Sequence, residues 1–207
     1  MSSPPRIVCT ASGGGRTILN LLDRIEAGTL DASIVLVLAD RACAAIERCA
    51  NRGLQVELIP WTRTTDAEEW ADRAWTRIDE SGATLVCHAG FLRLLVVPHD
   101  WDYRVMNIHP ALLPKYGGKG MWGEHVHRAV LDSGDRESGC TVHFATNQYD
   151  AGAVIVQQRV PVRDDDTVDS LAARVFEAEC DAYPEAIRLF GADRITIEDG
   201  KVKIRDE

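Results

Sequence analysis

The feature that most constrains how this chain can fold is an alternation of short apolar, β-rich runs with longer stretches whose apolar residues recur at helical spacing. Parallel strands cannot be joined by tight turns, so that alternation asks for a parallel sheet with crossover helices. Residues 6–11 (RIVCTA) form the first apolar run, and Gly13, Gly14 and Gly15 follow it directly. From Thr17, Ile18, Leu21, Leu22 and Ile25 repeat at the period of a helix, so the glycines join a first strand to a first helix. A strand at 33–40, a helix at 43–51 stopped by Gly53, and a strand at 55–59 come next. Asp66 with Glu69 three residues on reads as a capping box, and Trp70, Ala74 and Ile78 share one face of the helix it opens.

The second half keeps the alternation but lengthens the connections. Residues 84–88 read as a buried strand ending at Ala89-Gly90, and 105–108 as another, ended by His109-Pro110. A glycine-rich stretch at 116–123 precedes a helix near 125–131 and strands at 140–145 and 154–160. A long helix from Val168 contains Pro184, which is expected to kink or divide it. The tail at about 194–205 alternates around Asp199-Gly200 as a closing β-hairpin does. The fold class expected is α/β, a Rossmann-like, mostly parallel sheet with helices on both faces. With 207 residues, no internal repeat and no linker-like tract, one domain over 1–207 is the expectation.

Charge narrows the partners. Lys and Arg number 23 against 32 Asp and Glu, a formal −9 that argues against a broad nucleic-acid face or a basic membrane patch. A small anion needs only a few local donors and stays open. The N-terminus lacks a charged region followed by an apolar one, and no apolar run reaches the ~18 to 20 residues that span a bilayer. The six cysteines include no C-x-x-C pair, so reduced, mostly buried thiols in a cytoplasmic protein are expected.

Two places could carry chemistry. Gly13-Gly14-Gly15-Arg16-Thr17 sits between strand and helix, where glycines admit a phosphate to unpaired helix N–H groups. A tight turn needing positive φ would use the same residues, and the motif is neither G-x-G-x-x-G nor a Walker loop. Arg16 favours the anion, because a cation at a helix N-terminus opposes the helix dipole. Asn107 and His109 lie at the C-terminal end of a strand, where doubly wound sheets bind ligands, and Asp150 lies in the loop beyond another strand. An imidazole held by a carboxylate and an amide donor together suit acyl transfer through a tetrahedral intermediate. Taken singly, each also has a local structural explanation. His125 and His127 are two apart and complete no ligand set, so no metal is expected. His88 reads as a structural strand histidine, His143 and Thr141 as possible pocket-lining residues, and the five tryptophans as packing residues.

Asn107-Ile108-His109-Pro110-Ala111-Leu112-Leu113-Pro114-Lys115, preceded by Ala89-Gly90-Phe91-Leu92-Arg93-Leu94-Leu95, resembles the folate-dependent formyltransferase superfamily. The resemblance extends to Ser12-Gly13-Gly14-Gly15, to 139–144 with Asp150-Ala151-Gly152, and to Glu177-Ala178-Glu179 leading into Tyr183-Pro184. It implies transfer of a formyl group from 10-formyltetrahydrofolate, as co-substrate, to the amino group of 5-phosphoribosyl-glycinamide, a step of purine synthesis, without a metal. Asn107, His109 and Asp150 match the catalytic trio. Gly14, Gly15, Arg16 and Thr17 match the phosphate loop, and Glu179 a residue near the glycinamide end. Leu92, Arg93, Leu94 and Leu95, continuing past Asn107, Thr146 and Asp150, match the folate-binding segments. Leu113-Pro114 matches a turn with a cis peptide bond.

This chain has Arg16-Thr17 where Ser-Asn is common, and a longer stretch at 116–124 that reads as a flap, with Lys119 a possible second phosphate contact. Arg63 stands as a substitute for an arginine that some members place near the folate tail. The partners implied are small molecules, the assembly a monomer or homodimer. Three alternatives stay open: a formyltetrahydrofolate hydrolase, whose relatives carry an added N-terminal domain; a formyltransferase for an amino sugar nucleotide; and a non-catalytic Rossmann-like nucleotide-binding module.

Overall fold

Arg6–Ala11 forms strand β1, and every residue after Arg6 is buried, as a central parallel strand covered on both faces requires. The computed structural model describes residues 3–206; residues 1, 2 and 207, the extremes of the expected 1–207 domain, lie outside the described residues. The chain separates into two compact units, one up to Met106 and one from Asn107 onward.

In the first unit β1 leads through Gly15 into helix α1 (Arg16–Glu26), then β2 (Ser33–Ala39), α2 (Ala44–Ala50), β3 (Val56–Leu58), α3 (Ala67–Glu80), β4 (Leu85–His88) and the start of β5 (Val105–His109). Hydrogen bonding orders the strands β3-β2-β1-β4-β5, and β1 runs parallel to both β2 and β4. Cys9 is in register with Val37 on one side and Cys87 on the other, and all three are fully buried. Ile18, Leu21 and Leu22 of α1 supply its buried face, each worth roughly 1.5–3 kcal/mol on leaving water. Asp66 caps α3, its carboxylate accepting from the Glu68 and Glu69 amides at 3.0 and 2.9 Å. Trp70, Ala74 and Ile78 line the buried face of α3, and the Trp70 indole donates to the Ile59 carbonyl at 2.9 Å.

The second unit holds the rest of β5, then α4 (Glu124–Ser133), β6 (Glu137–Phe144), β7 (Val154–Pro161), α5 (Val168–Gly191) and the hairpin β8 (Ile195–Glu198) with β9 (Lys201–Ile204). Its order is β5-β6-β7, with β6 and β7 antiparallel. Helix α5 packs against β6, β7 and α4. Thr167 and Ser170 form a capping box at its start: Thr167 Oγ1 accepts from the Ser170 amide and Ser170 Oγ from the Thr167 amide.

Of the two outcomes expected at Pro184, division does not occur: α5 runs unbroken over 24 residues. Pro184 forgoes one helical hydrogen bond, but it sits where Ala182, Tyr183, Ala186 and Ile187 are all fully buried, and that packing holds the helix together. Not every tryptophan is a packing residue either, since Trp122 is 48% exposed.

Where β6 meets β7 there is no room for side chains at two glycines. A Cβ on Gly139 would fall 1.9 Å from the Gln158 carbonyl oxygen, and one on Gly152 would fall 1.7 Å from that of Phe144. Both obstacles are backbone atoms that cannot swing aside, so Gly139→Ala is expected to lower stability to chemical denaturation by at least about 2 kcal/mol. An unchanged urea midpoint would contradict this account of the β6–β7 pairing.

Candidate active site

Strand β5 delivers Asn107 and His109 to one face, because residues two apart in a strand point the same way. Asp150 comes from the loop between β6 and β7 and takes up a left-handed backbone, φ 54°. The three converge within the second unit, joined by His143 of β6. Asp150 Oδ1 lies 3.4 Å from Asn107 Nδ2, and Asp150 Oδ2 lies 3.5 Å from His109 Nδ1. His143 Nε2 is 3.1 Å from Asn107 Nδ2 and 3.6 Å from Asp150 Oδ1. His109 and His143 are almost entirely buried.

Carbonyl partners fix where the protons sit. His143 Nδ1 lies 2.9 Å from the Phe144 carbonyl, which can only accept, so Nδ1 carries the proton and Nε2 accepts from the Asn107 amide. By the same reasoning His109 Nε2 donates to the Tyr116 carbonyl at 2.7 Å, leaving Nδ1 to face Asp150. The Asn107 nitrogen, expected to face an oxyanion, thus divides its two N–H groups between His143, firmly, and Asp150, at the long end of hydrogen bonding.

The charges are balanced against burial. Burial pulls the His109 imidazole below its usual range, while Asp150 and the Tyr116 carbonyl work against that pull. Burial works to raise the Asp150 carboxyl, but the rings of His143 and His109, as imidazoliums, and the Gly118 amide outweigh it and hold the group below the usual carboxylate range. The Gly118 N–H donates to Asp150 Oδ2 at 2.8 Å. Gly117 passes so close that a Cβ there would meet Leu113 Cδ2 at 2.6 Å and Asp150 Cβ at 3.3 Å.

The other residues singled out in this unit sit as follows. Thr141 is fully buried; its hydroxyl donates to the Ala111 carbonyl at 2.7 Å and accepts from the Leu113 amide at 3.1 Å, holding the turn that contains the cis Leu113-Pro114 bond. Thr146 is exposed and organises the 146–148 turn with Gln148. Lys119 is exposed, and Glu179 lies on α5 close enough to Cys140 of β6 that its charge adds to burial in pushing that thiol up to about 12. His125 is exposed with Trp122 edge-on at 4.9 Å, whereas His127 is buried, so the two point apart.

In the first unit Gly15 is the left-handed residue, φ 72°, that turns β1 into α1, and a Cβ there would meet Ala45 Cβ at 2.9 Å. Ser12 ties this loop to the segment after β4: its amide donates to the Gly90 carbonyl at 3.0 Å and its hydroxyl accepts from the Leu92 amide at 2.9 Å. The glycine loop and the 92–95 segment are therefore neighbours. Leu92 and Arg93 are half-buried, Leu94 is exposed, and Leu95 is buried. His88 is structural, with Nδ1 2.7 Å from Thr10 Oγ1 and its ring stacked on Phe91.

Sequence reasoning passed over four participants. Arg48 donates to the Gly14 carbonyl at 2.9 Å, and a fully buried Asp40 holds both Arg41 and Arg93, the latter at 3.0 Å with its guanidinium over Trp61. Asp40 directly follows β2, a position that could have drawn attention to it. The Tyr116 carbonyl and the Gly118 amide carry no such signal, because backbone groups are independent of residue type.

Residues 5–187 match the formyl transferase family. The chain is similar to the crystal structure of glycinamide ribonucleotide transformylase 1 from Symbiobacterium toebii, with 34% identity and a TM-score of 0.92 over 100% of this chain and 96% of that one. It is 32% identical over 207 residues to the chloroplastic phosphoribosylglycinamide formyltransferase of Arabidopsis thaliana, covering 98% of this chain and 71% of that protein. It is also 35% identical to the trifunctional purine biosynthetic protein adenosine-3 of Gallus gallus, of whose length it spans 20%. On its sequence and its fold alike, the chain belongs to the formyl transferase family.

Proposed function

We propose that this protein transfers the formyl group of 10-formyltetrahydrofolate to the amino group of 5-phosphoribosyl-glycinamide. The observation that carries the reading is the convergence of Asn107, His109 and Asp150 on one spot within a single unit. Membership of the formyl transferase family and the names of the Symbiobacterium toebii and Arabidopsis thaliana relatives support it.

In this proposal the Asn107 amide and, once its ring is protonated, His109 do the electrostatic work. Asn107 N–H at 3.4 Å and the His109 Nδ1 side at 3.5 Å both face Asp150, so an oxyanion forming beside that carboxylate would meet both. Asp150 favours the imidazolium that such an oxyanion needs, and it can hold the proton leaving the attacking amine on its way to the departing folate nitrogen. Gly14, Gly15, Arg16 and Thr17 take the phosphate of the acceptor, with Glu179 toward its glycinamide end. Leu92, Arg93, Leu94 and Leu95, with Thr146, take the folate: apolar side chains and main-chain groups suit a flat ring with a hydrogen-bonding edge. The same reading has the protein act on small molecules in the cytoplasm, as monomer or homodimer.

Formyl transfer measured with and without the phosphorylated amine tests the reaction type. Product only with the amine is expected; folate release at the same rate without it would mean hydrolysis. His109→Ala and Asp150→Asn are each expected to lower kcat by about two to three orders of magnitude in folded protein, and parent-like turnover of either would end the proposal. Arg16→Ala should raise KM for the phosphorylated amine by about tenfold or more while leaving KM for the folate within about twofold; equal effects would remove Arg16 from the phosphate subsite. The electrostatic argument has its own check by NMR titration. His109 is expected to titrate below the ordinary imidazole range of about 6.5, and lower still in Asp150→Asn, since that carboxylate stabilises the charged ring. A rise in the variant would show that the carboxylate does not act on His109.

A further inference from the structure

Residues 115–118 touch the reacting pair only through their backbone, yet they touch both members. The Tyr116 carbonyl accepts from His109 Nε2 at 2.7 Å, and the Gly118 amide donates to Asp150 Oδ2 at 2.8 Å. Tyr116 makes these contacts from a left-handed conformation, φ 57°, which a tyrosine adopts only when its surroundings hold it there. What holds it lies outside the site. The phenol donates to Asp135 Oδ2 at 2.8 Å and lies 2.6 Å from Ser133 Oγ, and Lys115 Nζ reaches the same Asp135 oxygen at 2.8 Å. Asp135 stands on the connection between α4 and β6 and is part-exposed; its bonds from Lys115 and Tyr116 hold its carboxyl below the usual carboxylate range, so it is ionised at neutral pH.

Resting on the reaction proposed above, we propose that Asp135 is a positioning residue. Through the Tyr116 phenol it holds the carbonyl that keeps a proton on His109 Nε2, and so makes Nδ1 the ring nitrogen that works beside Asp150. Without that carbonyl the neutral ring could carry its proton on either nitrogen, and the tautomer with Nδ1–H turned permanently to Asp150 could no longer accept a proton there. Besides the Tyr116 carbonyl, the groups whose charge reaches His109 are Asp150, His143 of β6 and His127 of α4. Asp150 and the carbonyl favour the charged ring, and the histidines oppose it.

The test uses Tyr116→Phe and Asp135→Ala in the full chain, read by 15N NMR of the His109 ring and by steady-state kinetics. In the parent, neutral His109 is expected as the Nε2–H tautomer. In both variants a mixture of tautomers is expected, with titration moved to lower pH because an acceptor for the charged ring is lost. Turnover should fall by about tenfold or more while both KM values stay within about threefold, since a misplaced ring spoils the chemical step rather than binding. The double variant should be no worse than the poorer single one, because both changes cut the same connection. Should Asp135→Ala not fold, Tyr116→Phe, which removes one oxygen, decides the question alone. An unchanged His109 tautomer and titration in Tyr116→Phe would overturn the proposal, whatever happens to turnover. The NMR readout needs no formyl transfer, so a failure of the proposed reaction would appear separately, as a parent protein with the expected tautomer and no product.

Discussion

The second unit is organised around one carboxylate. Asp150 sits in a strained backbone conformation, part-buried between two imidazoles, and its charge survives only because neighbours from three directions stabilise it. An ionised carboxylate taken out of water is costly unless it is hydrogen-bonded or paired. The Gly118 amide, the Asn107 side chain and the nearby histidines meet that requirement, and in meeting it they are themselves fixed in place. Much of the local architecture follows. Gly117 lets the turn pass close to Leu113 and Asp150, and the Thr141 hydroxyl anchors the Ala111–Leu113 turn that precedes it.

The first unit solves a similar problem with guanidinium partners. Asp40 is wholly buried at the end of β2 and is surrounded by the guanidinium groups of Arg41 and Arg93, the latter also lying over Trp61. One buried anion with two cations leaves a local positive excess on a chain whose formal charge is −9. A molecule that repels anions at a distance can therefore still hold them at close quarters, where fixed donors outweigh a screened long-range field.

Legibility in the sequence followed the kind of contact each residue makes. Strand β1 could be read at 6–11 to the residue, because a strand buried on both faces is a continuous apolar run and glycines mark its end. The beginning of β6 could not: Glu137, Ser138 and Gly139 have no strand-like composition, and they pair because the antiparallel partner β7 is there to receive them. Pro184 fails to divide α5 for the converse reason, since the packing of the helix around it outweighs the lost hydrogen bond. At the site, residue types and strand-end positions pointed to Asn107, His109 and Asp150, and family resemblance joined them. Which nitrogen of each histidine holds a proton was beyond reach, because the deciding partners are the carbonyls of Phe144 and Tyr116, and a carbonyl looks the same in every residue.

The bond pattern at Ser12 has a consequence of its own. Its amide and hydroxyl tie the glycine loop to the main chain of Gly90 and Leu92, so the spacing between loop and neighbouring segment is set by atoms that no substitution at residues 16 or 17 would remove. The frame and the side chains that face a ligand are thus separable. If the loop takes the acceptor phosphate as proposed, a change at Arg16 or Thr17 would alter the anion contact while the scaffold stays where it was.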